Sequence, residues 1–162
     1  MNDMFREMRR FRQELKEEDT VAILKNHTTG VLAVTGDDGY PYTVPLNYIY
    51  EEGKIWFHWA KQGHKLDAVH RDDRVSFCVI DKDHIKAASY TNDFCSAVAF
   101  GRIHQVEDDD TKRRIMDRML EVYGLLDASE RSFGINQRWN NFYIMVMEIE
   151  HLTGKAALQL LR

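Results

Sequence analysis

A glycine followed by a histidine and a lysine, Gly63-His64-Lys65, stands at the start of a segment long enough for two helical turns. Backbone N–H groups at a helix N-terminus favour an anion, and a glycine lets an anionic group approach the backbone closely. The side chains of His64 and Lys65 can add charge-assisted hydrogen bonds. The spacing therefore fits a cradle for a phosphate, and it also fits the ordinary start of a surface helix, which is the more common structure.

A second stretch with binding chemistry precedes this segment, in the strand-like run Val44-Pro45-Leu46-Asn47. Proline lacks the N–H that a ladder hydrogen bond needs, so Pro45 predicts a sheet edge or a bulge. The side-chain amide of Asn47 offers both donors and an acceptor. The run therefore suits either a heterocyclic ring bound along a strand or a plain edge strand.

Metal and nucleophile chemistry find no support in the sequence pattern. The seven histidines match no known ligand spacing, and the HExxH, CxxC, GxSxG, Walker and GxGxxG motifs are absent. The two cysteines, Cys78 and Cys95, lie in apolar segments and are expected to be free thiols in a reducing compartment. We therefore expect no metal site and no Rossmann-type dinucleotide fold.

Composition predicts one globular domain over residues 1–162, since 44% of the residues are hydrophobic and 30% are charged. The net charge of −4 gives no electrostatic reason to expect a nucleic-acid partner. No segment is apolar for long enough to span a bilayer, and the N-terminus lacks an apolar leader. We therefore expect no membrane partner, a cytoplasmic location, and a loosely held charged arm over residues 1–14.

The elements that would position these residues are mostly strands. Apolar runs predict about six antiparallel strands, at 30–35, 42–50 (one bent strand or a pair), 54–59, 75–80, 96–106 and 142–152. Helices are expected over 16–26, 64–70 and 107–123, the last with Gly124 as its C-cap. The polar residues 82–93 predict a loop, and Gly101 inside a strand predicts a bulge or bend. The expected helices are few and do not alternate regularly with the strands, which favours a mainly β fold of barrel type.

Six blocks in a fixed order carry a resemblance to a known family. They are G-Y-P-Y-x-V-P-L-N-Y from Gly39, I-W-F-H-W-A from Ile55, G-H-K-L-D-A-V from Gly63, V-S-F-C-V from Val75, F-C-S-A-V-A-F-G from Phe94, and the closing T-G-K from Thr153. The ordered set resembles the Nim-type (5-nitroimidazole resistance) branch of the pyridoxamine phosphate oxidase superfamily. The resemblance extends over about residues 8–155.

This resemblance implies an FMN-binding split β-barrel that forms a homodimer, with a flavin at each of two equivalent sites between the chains. The residues that would bind FMN by matching position are Val44, Pro45, Leu46, Asn47, His58, Trp59, Ala60, Gly63, His64, Lys65, Ser96 and Lys155. Residues 44–47 would flank the isoalloxazine ring, residues 58–60 would lie beneath the ribityl chain and ring edge, and residues 63–65 would hold the phosphate. Ser96 and Lys155 would reach the flavin from a neighbouring strand or from the partner chain.

The activity that the resemblance implies is a reductase. Electrons from NADH or NADPH would pass through FMN to a small planar acceptor such as a nitroaromatic ring, with His58 or His64 acting near the substrate. The alternatives are a non-catalytic module that holds flavin or haem, and an empty barrel. Phe94 stands where relatives commonly have tyrosine. The basic contacts to substrate phosphate in true pyridoxamine phosphate oxidases are not recognisable, so synthesis of pyridoxal phosphate is not expected.

Overall fold

The computed structural model describes residues 4–161, which form one sheet and four α-helices. The strands are β1 (Thr29–Thr35), β2 (Pro41–Asn47), β3 (Ile49–Glu51), β4 (Lys54–Ala60), β5 (Arg74–Lys86), β6 (Thr91–Gln105) and β7 (Phe142–Ala156). The helices are α1 (Glu17–Asn26), α2 (His64–Arg71), α3 (Asp109–Tyr123) and α4 (Ala128–Arg138). None of these helices is long and apolar enough to cross a lipid bilayer.

All seven strands join in the antiparallel order β2-β1-β5-β6-β7-β4-β3. Strands β2 and β3 are consecutive in sequence, yet they form opposite edges of the sheet because the chain leaves the ladder at Tyr48. The side chain of Tyr48 is fully buried, and its hydroxyl donates to the carbonyl of Leu24 in α1 at 2.8 Å. The predicted mainly β, split-barrel architecture is confirmed, with seven strands and without a ladder that closes the sheet.

The two faces of β4 belong to two different apolar cores. Ile55 and Phe57 are fully buried in the larger core, which the sheet forms together with α1 and α2. Trp56 lies on the other face and packs into a second core that includes Ile115 of α3 and Ile135 of α4. Because side chains alternate along a strand, the residues at the end of β4 also divide between these two environments.

The prediction of a loop over residues 82–93 is wrong. Strands β5 and β6 continue as a hairpin, and the ladder extends to the pair Lys86↔Thr91. Most side chains of this extension are exposed, including Ile85 and Tyr90. The apolar–polar alternation that identifies a half-buried strand is therefore missing there. The bulge predicted at Gly101 is confirmed, because the β6–β7 register shifts next to this residue.

The three predicted helices are confirmed, with bounds that differ by one or two residues, and Gly124 follows α3 with a φ of 79°. Helix α4 was not predicted. Its sequence signal is a capping box, in which Asp127 and Glu130 each accept a hydrogen bond from the other's backbone N–H. Glycine and serine within α4 weaken its helical periodicity, which explains the omission.

The segment before α1 lies against strands β6 and β7. The ring of Phe5 stacks on His151 with centroids 4.9 Å apart, and the N–H of Leu15 donates to the carbonyl of Gly154 at 2.9 Å. Residues 1–3 of the predicted arm lie outside the described residues. Cys78 and Cys95 are both free thiols, as predicted.

Candidate functional site

The N-terminus of α2 is open to an anion. Gly63 precedes the helix with a φ of 131°, a conformation that glycine adopts readily, and a Cβ atom there would meet no other atom within 4 Å. The Gly63 carbonyl accepts a hydrogen bond from the N–H of Asp67 at 3.1 Å, and no side chain caps the helix. The first N–H groups of a helix have no partner within it. Together with the helix dipole, they form a place that favours negative charge.

His64 connects this helix end to the turn between β1 and β2. Its ring stacks on the ring of Tyr42 with centroids 4.2 Å apart, and its Nε2 lies 3.7 Å from a carboxylate oxygen of Asp37. The other oxygen of Asp37 accepts a 2.8 Å hydrogen bond from Arg71. These contacts hold His64 in position. They bring the predicted phosphate-binding residues beside β2, which carries the predicted ring-binding residues.

Lys65 supplies a positive charge at the same helix end. Its Nζ lies 5.3 Å from the centre of the Trp59 ring, within range of a cation–π interaction. Within residues 4–161, no carboxylate forms an ion pair with Lys65. The Lys65 side chain is also half-buried, so its charge lies partly out of water without a counterion in this part of the chain.

His58 lies on β4 one residue before Trp59. Burial lowers the pKa of its imidazole below the usual value of 6.5, and the charge of Lys65 lowers that pKa further. A neutral imidazole can both donate and accept a hydrogen bond at neutral pH. The end of β4 and the start of α2 thus combine an unpaired cation with a neutral polar group.

The four predicted residues of β2, residues 44–47, lie along an edge of the sheet, which confirms the edge position expected for Pro45. Alternate side chains pack against the larger core, while Pro45 and Asn47 lie on the exposed face. The side-chain Nδ2 of Asn47 donates to the carbonyl of Thr28 at 3.1 Å and to the hydroxyl of Thr29 at 2.9 Å. Both amide donors of Asn47 therefore serve the protein itself, and its side-chain oxygen is the group left for a ligand.

Ser96 and Lys155 lie away from the end of β4 within one chain. They are direct partners across the β6–β7 ladder, near the C-terminal end of β7. Ala60 pairs instead with Phe142, the first residue of β7, so the two predicted groups are at opposite ends of this long strand. The Nζ of Lys155 lies 5.4 Å from the ring centre of Phe94, the residue that stands where relatives commonly have tyrosine.

A cavity of about 440 Å³ opens between the end of β4 and helices α3 and α4. His58, Trp59 and Ala60 line one side, and residues such as Met116 and Ile135 line the other. The sequence predicts only the three cavity residues on β4. The residues on the helical side were missed because helix α4 was missed, and the capping box at its start was the sequence signal that could have identified it.

Within residues 4–161, no three histidine, cysteine, aspartate or glutamate side chains lie together as a metal site would require. Another cavity, of about 650 Å³, lies beside α1, and none of the predicted site residues line it. Apart from Ser96 and Lys155, the predicted site residues lie on β2, at the end of β4 and at the start of α2.

The fold and these residues define an antiparallel split-barrel protein with an anion-favouring helix end at one edge. A profile of the pyridoxamine 5'-phosphate oxidase family matches residues 16–156. This chain belongs to that family, which confirms the resemblance noted in the sequence at the family level. No protein of curated function matches the sequence.

Solved structures share the fold across most of the chain. A candidate 5-nitroimidazole antibiotic resistance protein of Bacteroides thetaiotaomicron is 19% identical, with a TM-score of 0.70 over 88% of this chain and 85% of that one. A conserved hypothetical protein of Mycobacterium tuberculosis is 21% identical, with a TM-score of 0.82 over 96% and 94%. An FAD and haem binding protein of Mycobacterium smegmatis is 14% identical, with a TM-score of 0.66 over 90% and 73%.

Proposed function

We propose that this protein is a homodimeric, cytoplasmic FMN-binding flavoprotein that reduces small planar acceptors with electrons from NADH or NADPH. The observation that carries the proposal is the uncapped N-terminus of α2 with the half-buried, unpaired Lys65 beside it. A flavin phosphate supplies the anion that this arrangement lacks. Two further observations support this proposal. The chain belongs to the pyridoxamine 5'-phosphate oxidase family, and its structural neighbour from Mycobacterium smegmatis is an FAD and haem binding protein.

The residues present fit the parts of FMN. The N–H groups of α2 and the Lys65 ammonium would hold the phosphate. The edge of β2 would offer backbone groups, the Asn47 side-chain oxygen and the apolar Pro45 to the ring. Bound FMN would supply the chemistry of accepting a hydride and passing electrons on, which no side chain of the protein can do.

The separation of Ser96 and Lys155 from Ala60 along the sheet supports a dimer with shared sites. Ser96 of β6 pairs with Lys155 near the C-terminal end of β7, whereas Ala60 pairs with the first residue of β7. A second copy related by twofold symmetry can bring its own Ser96 and Lys155 to the first chain's α2. Each flavin would then contact two chains.

The cavity beside β4 supports turnover. It adjoins His58 and Ala60, which are also predicted to lie near the flavin. An acceptor in this cavity would lie close to the ring, and His58 would donate a hydrogen bond to it. His58 is the better candidate of the two predicted histidines, because it lines the cavity, whereas His64 does not and already contacts Tyr42 and Asp37.

The first experiment is an absorbance spectrum of the freshly purified protein. We expect flavin bands near ~375 and ~450 nm, and release of FMN on heating, identified against FAD by chromatography. Anaerobic addition of NADH or NADPH should bleach the ~450 nm band. A nitroaromatic acceptor should then restore it.

The alternative candidate is a module that binds haem, or flavin without turnover, and the FAD and haem binding neighbour is the observation that favours it. A Soret band in place of flavin bands would support haem. Bound FMN that neither nicotinamide reduces would support passive flavin binding. A colourless protein that takes up no added FMN would refute the proposal.

A further inference from the structure

The cavity between β4, α3 and α4 has walls suited to an aromatic ring. Met116 and Leu120 of α3, Ile135 of α4 and Phe142 of β7 line its sides. Its volume of about 440 Å³ falls within the range of roughly 300–1,000 Å³ that is usual for small-molecule sites. Apolar walls of this kind bury the flat faces of a bound ring. A polar group in the lining is needed to fix the orientation of that ring.

The charged group in the lining of this cavity favours a negatively charged ligand. Arg138, at the last position of α4, is the charged side chain in the lining, and no aspartate or glutamate lines the cavity. No described carboxylate forms an ion pair with Arg138. A guanidinium group has a fork of donors that matches a carboxylate in two parallel hydrogen bonds.

A second cation strengthens the positive potential behind the cavity wall. Lys112 is 9% exposed, and its Nζ donates to the carbonyl of Trp139 at 2.7 Å and lies 4.4 Å from the ring centre of Phe142. A buried ammonium group normally has an acidic partner. Within residues 4–161, no carboxylate lies within ion-pair distance of Lys112, although the charge of Asp109 acts on its ammonium group. Lys112 therefore adds a positive charge behind this wall, in a chain whose net charge is −4.

We infer that this cavity binds the acceptor and that the acceptor is a planar aromatic acid, with its ring between α3 and α4 and its carboxylate on Arg138. This inference rests on the proposed function, because the cavity adjoins His58 and Ala60 of the predicted flavin site. It adds a substrate class to that function. A neutral ring of the same shape would fill the apolar walls but leave Arg138 without a counterion.

The test compares 4-nitrobenzoate with 4-nitrobenzamide, which have similar shapes and differ in charge. Binding to the oxidised holoprotein is measured by calorimetry without nicotinamide, so that no turnover occurs. We expect the acid to bind about fivefold more tightly than the amide, the high end for a charge pair in contact with water, since Arg138 is exposed. The Arg138→Gln variant should remove this preference and leave the affinity for the amide unchanged.

Two further variants locate the effect. Arg113→Gln removes the same charge from the adjacent helix at a side chain that lies over Trp139 and does not line the cavity, so it should keep the preference. Gly134→Leu places a side chain in the cavity from within α4 and should abolish binding of both probes. Its fold should persist, because leucine favours a helix more than glycine does.

Equal affinity of wild type for the two probes, or a preference for the acid that survives in Arg138→Gln, would overturn the inference. The proposed function fails in a different way, through the absence of flavin bands in the purified protein. Flavin content of Arg138→Gln should equal that of wild type. A loss of FMN in this variant would assign Arg138 to the cofactor and would also overturn the inference.

Discussion

Replacing Lys65 by alanine removes the cation at the N-terminus of α2 and tests the proposed phosphate site. The backbone N–H groups of the helix remain, so FMN binding should weaken and not disappear. A hydrogen bond to a charged group is worth about 1.5–3 kcal/mol. Lys65 is half-buried, and water screens part of its charge, so the low end applies. About 1.5 kcal/mol corresponds to roughly a tenfold rise in the Kd for FMN.

The same substitution has a smaller effect on the fold. The Nζ of Lys65 lies 5.3 Å from the ring centre of Trp59, and a partly exposed cation–π contact of this kind contributes about 0.5–1 kcal/mol. For a chain of this size, that loss lowers the Tm of the apoprotein by only about 1–4 °C. A Lys65→Met variant retains an unbranched apolar side chain near Trp59 without the charge. It should reproduce the weaker FMN binding, while Lys65→Arg should restore much of it.

The assay is the quenching of FMN fluorescence on titration with apoprotein, at low and at high ionic strength. The tenfold difference between wild type and Lys65→Ala should narrow at high salt, because the lost interaction is ionic. Lys61→Ala is the matched control. It removes a nearby exposed lysine whose Nζ lies 4.9 Å from the ring centre of Tyr143, so its Kd should rise less than about threefold. An unchanged Kd in Lys65→Ala, or an equal loss in Lys61→Ala, would refute the phosphate assignment.

Three further predictions follow from the same geometry. In the Lys65→Ala variant, the NMR titration midpoint of His58 should rise towards 6.5, because the charge that helps to lower the pKa of His58 is gone. A midpoint that stays fixed or falls would contradict this prediction. The Gly101→Ala variant should have a free energy of unfolding about 3 kcal/mol lower than wild type in urea denaturation. The alanine methyl group would overlap the carbonyl oxygen of Glu148 across the ladder. A variant as stable as wild type would show that the bulge can relax. If the sites are shared between chains, mixing Lys65→Ala chains with Lys155→Ala chains should restore one intact FMN site in each mixed dimer. Failure to restore tight FMN binding would place both lysines in a site formed by one chain.

Local chemistry in the sequence was sufficient for the elements around the candidate site. Gly63 and the residues that follow it define the start of α2 by backbone freedom and helix chemistry that act within a few residues. Proline's missing N–H placed Pro45 at an edge for the same local reason. Such features depend on one segment at a time, and all were recognisable before any contact between segments was known.

The hairpin formed by β5 and β6 could not be recognised in this way. Its outer residues, such as Ile85, are exposed on a ladder that extends beyond the core, so burial leaves no alternating pattern in the sequence. Only the pairing of the two strands with each other reveals them as strands. The same reasoning applies to Lys112, whose burial depends on Trp139 and Phe142 from a distant part of the chain.

The sequence by itself therefore determined the family, the strand-rich class and the predicted anion site at Gly63 and Lys65, because each depends on motifs or on short-range backbone chemistry. Tertiary structure alone decided which groups share a site. It set Ser96 and Lys155 at the opposite end of β7 from Ala60, and it created the cavity lined by Arg138 from segments far apart in sequence. The physical reason is that cavities and shared sites arise from packing between elements, which no single segment encodes.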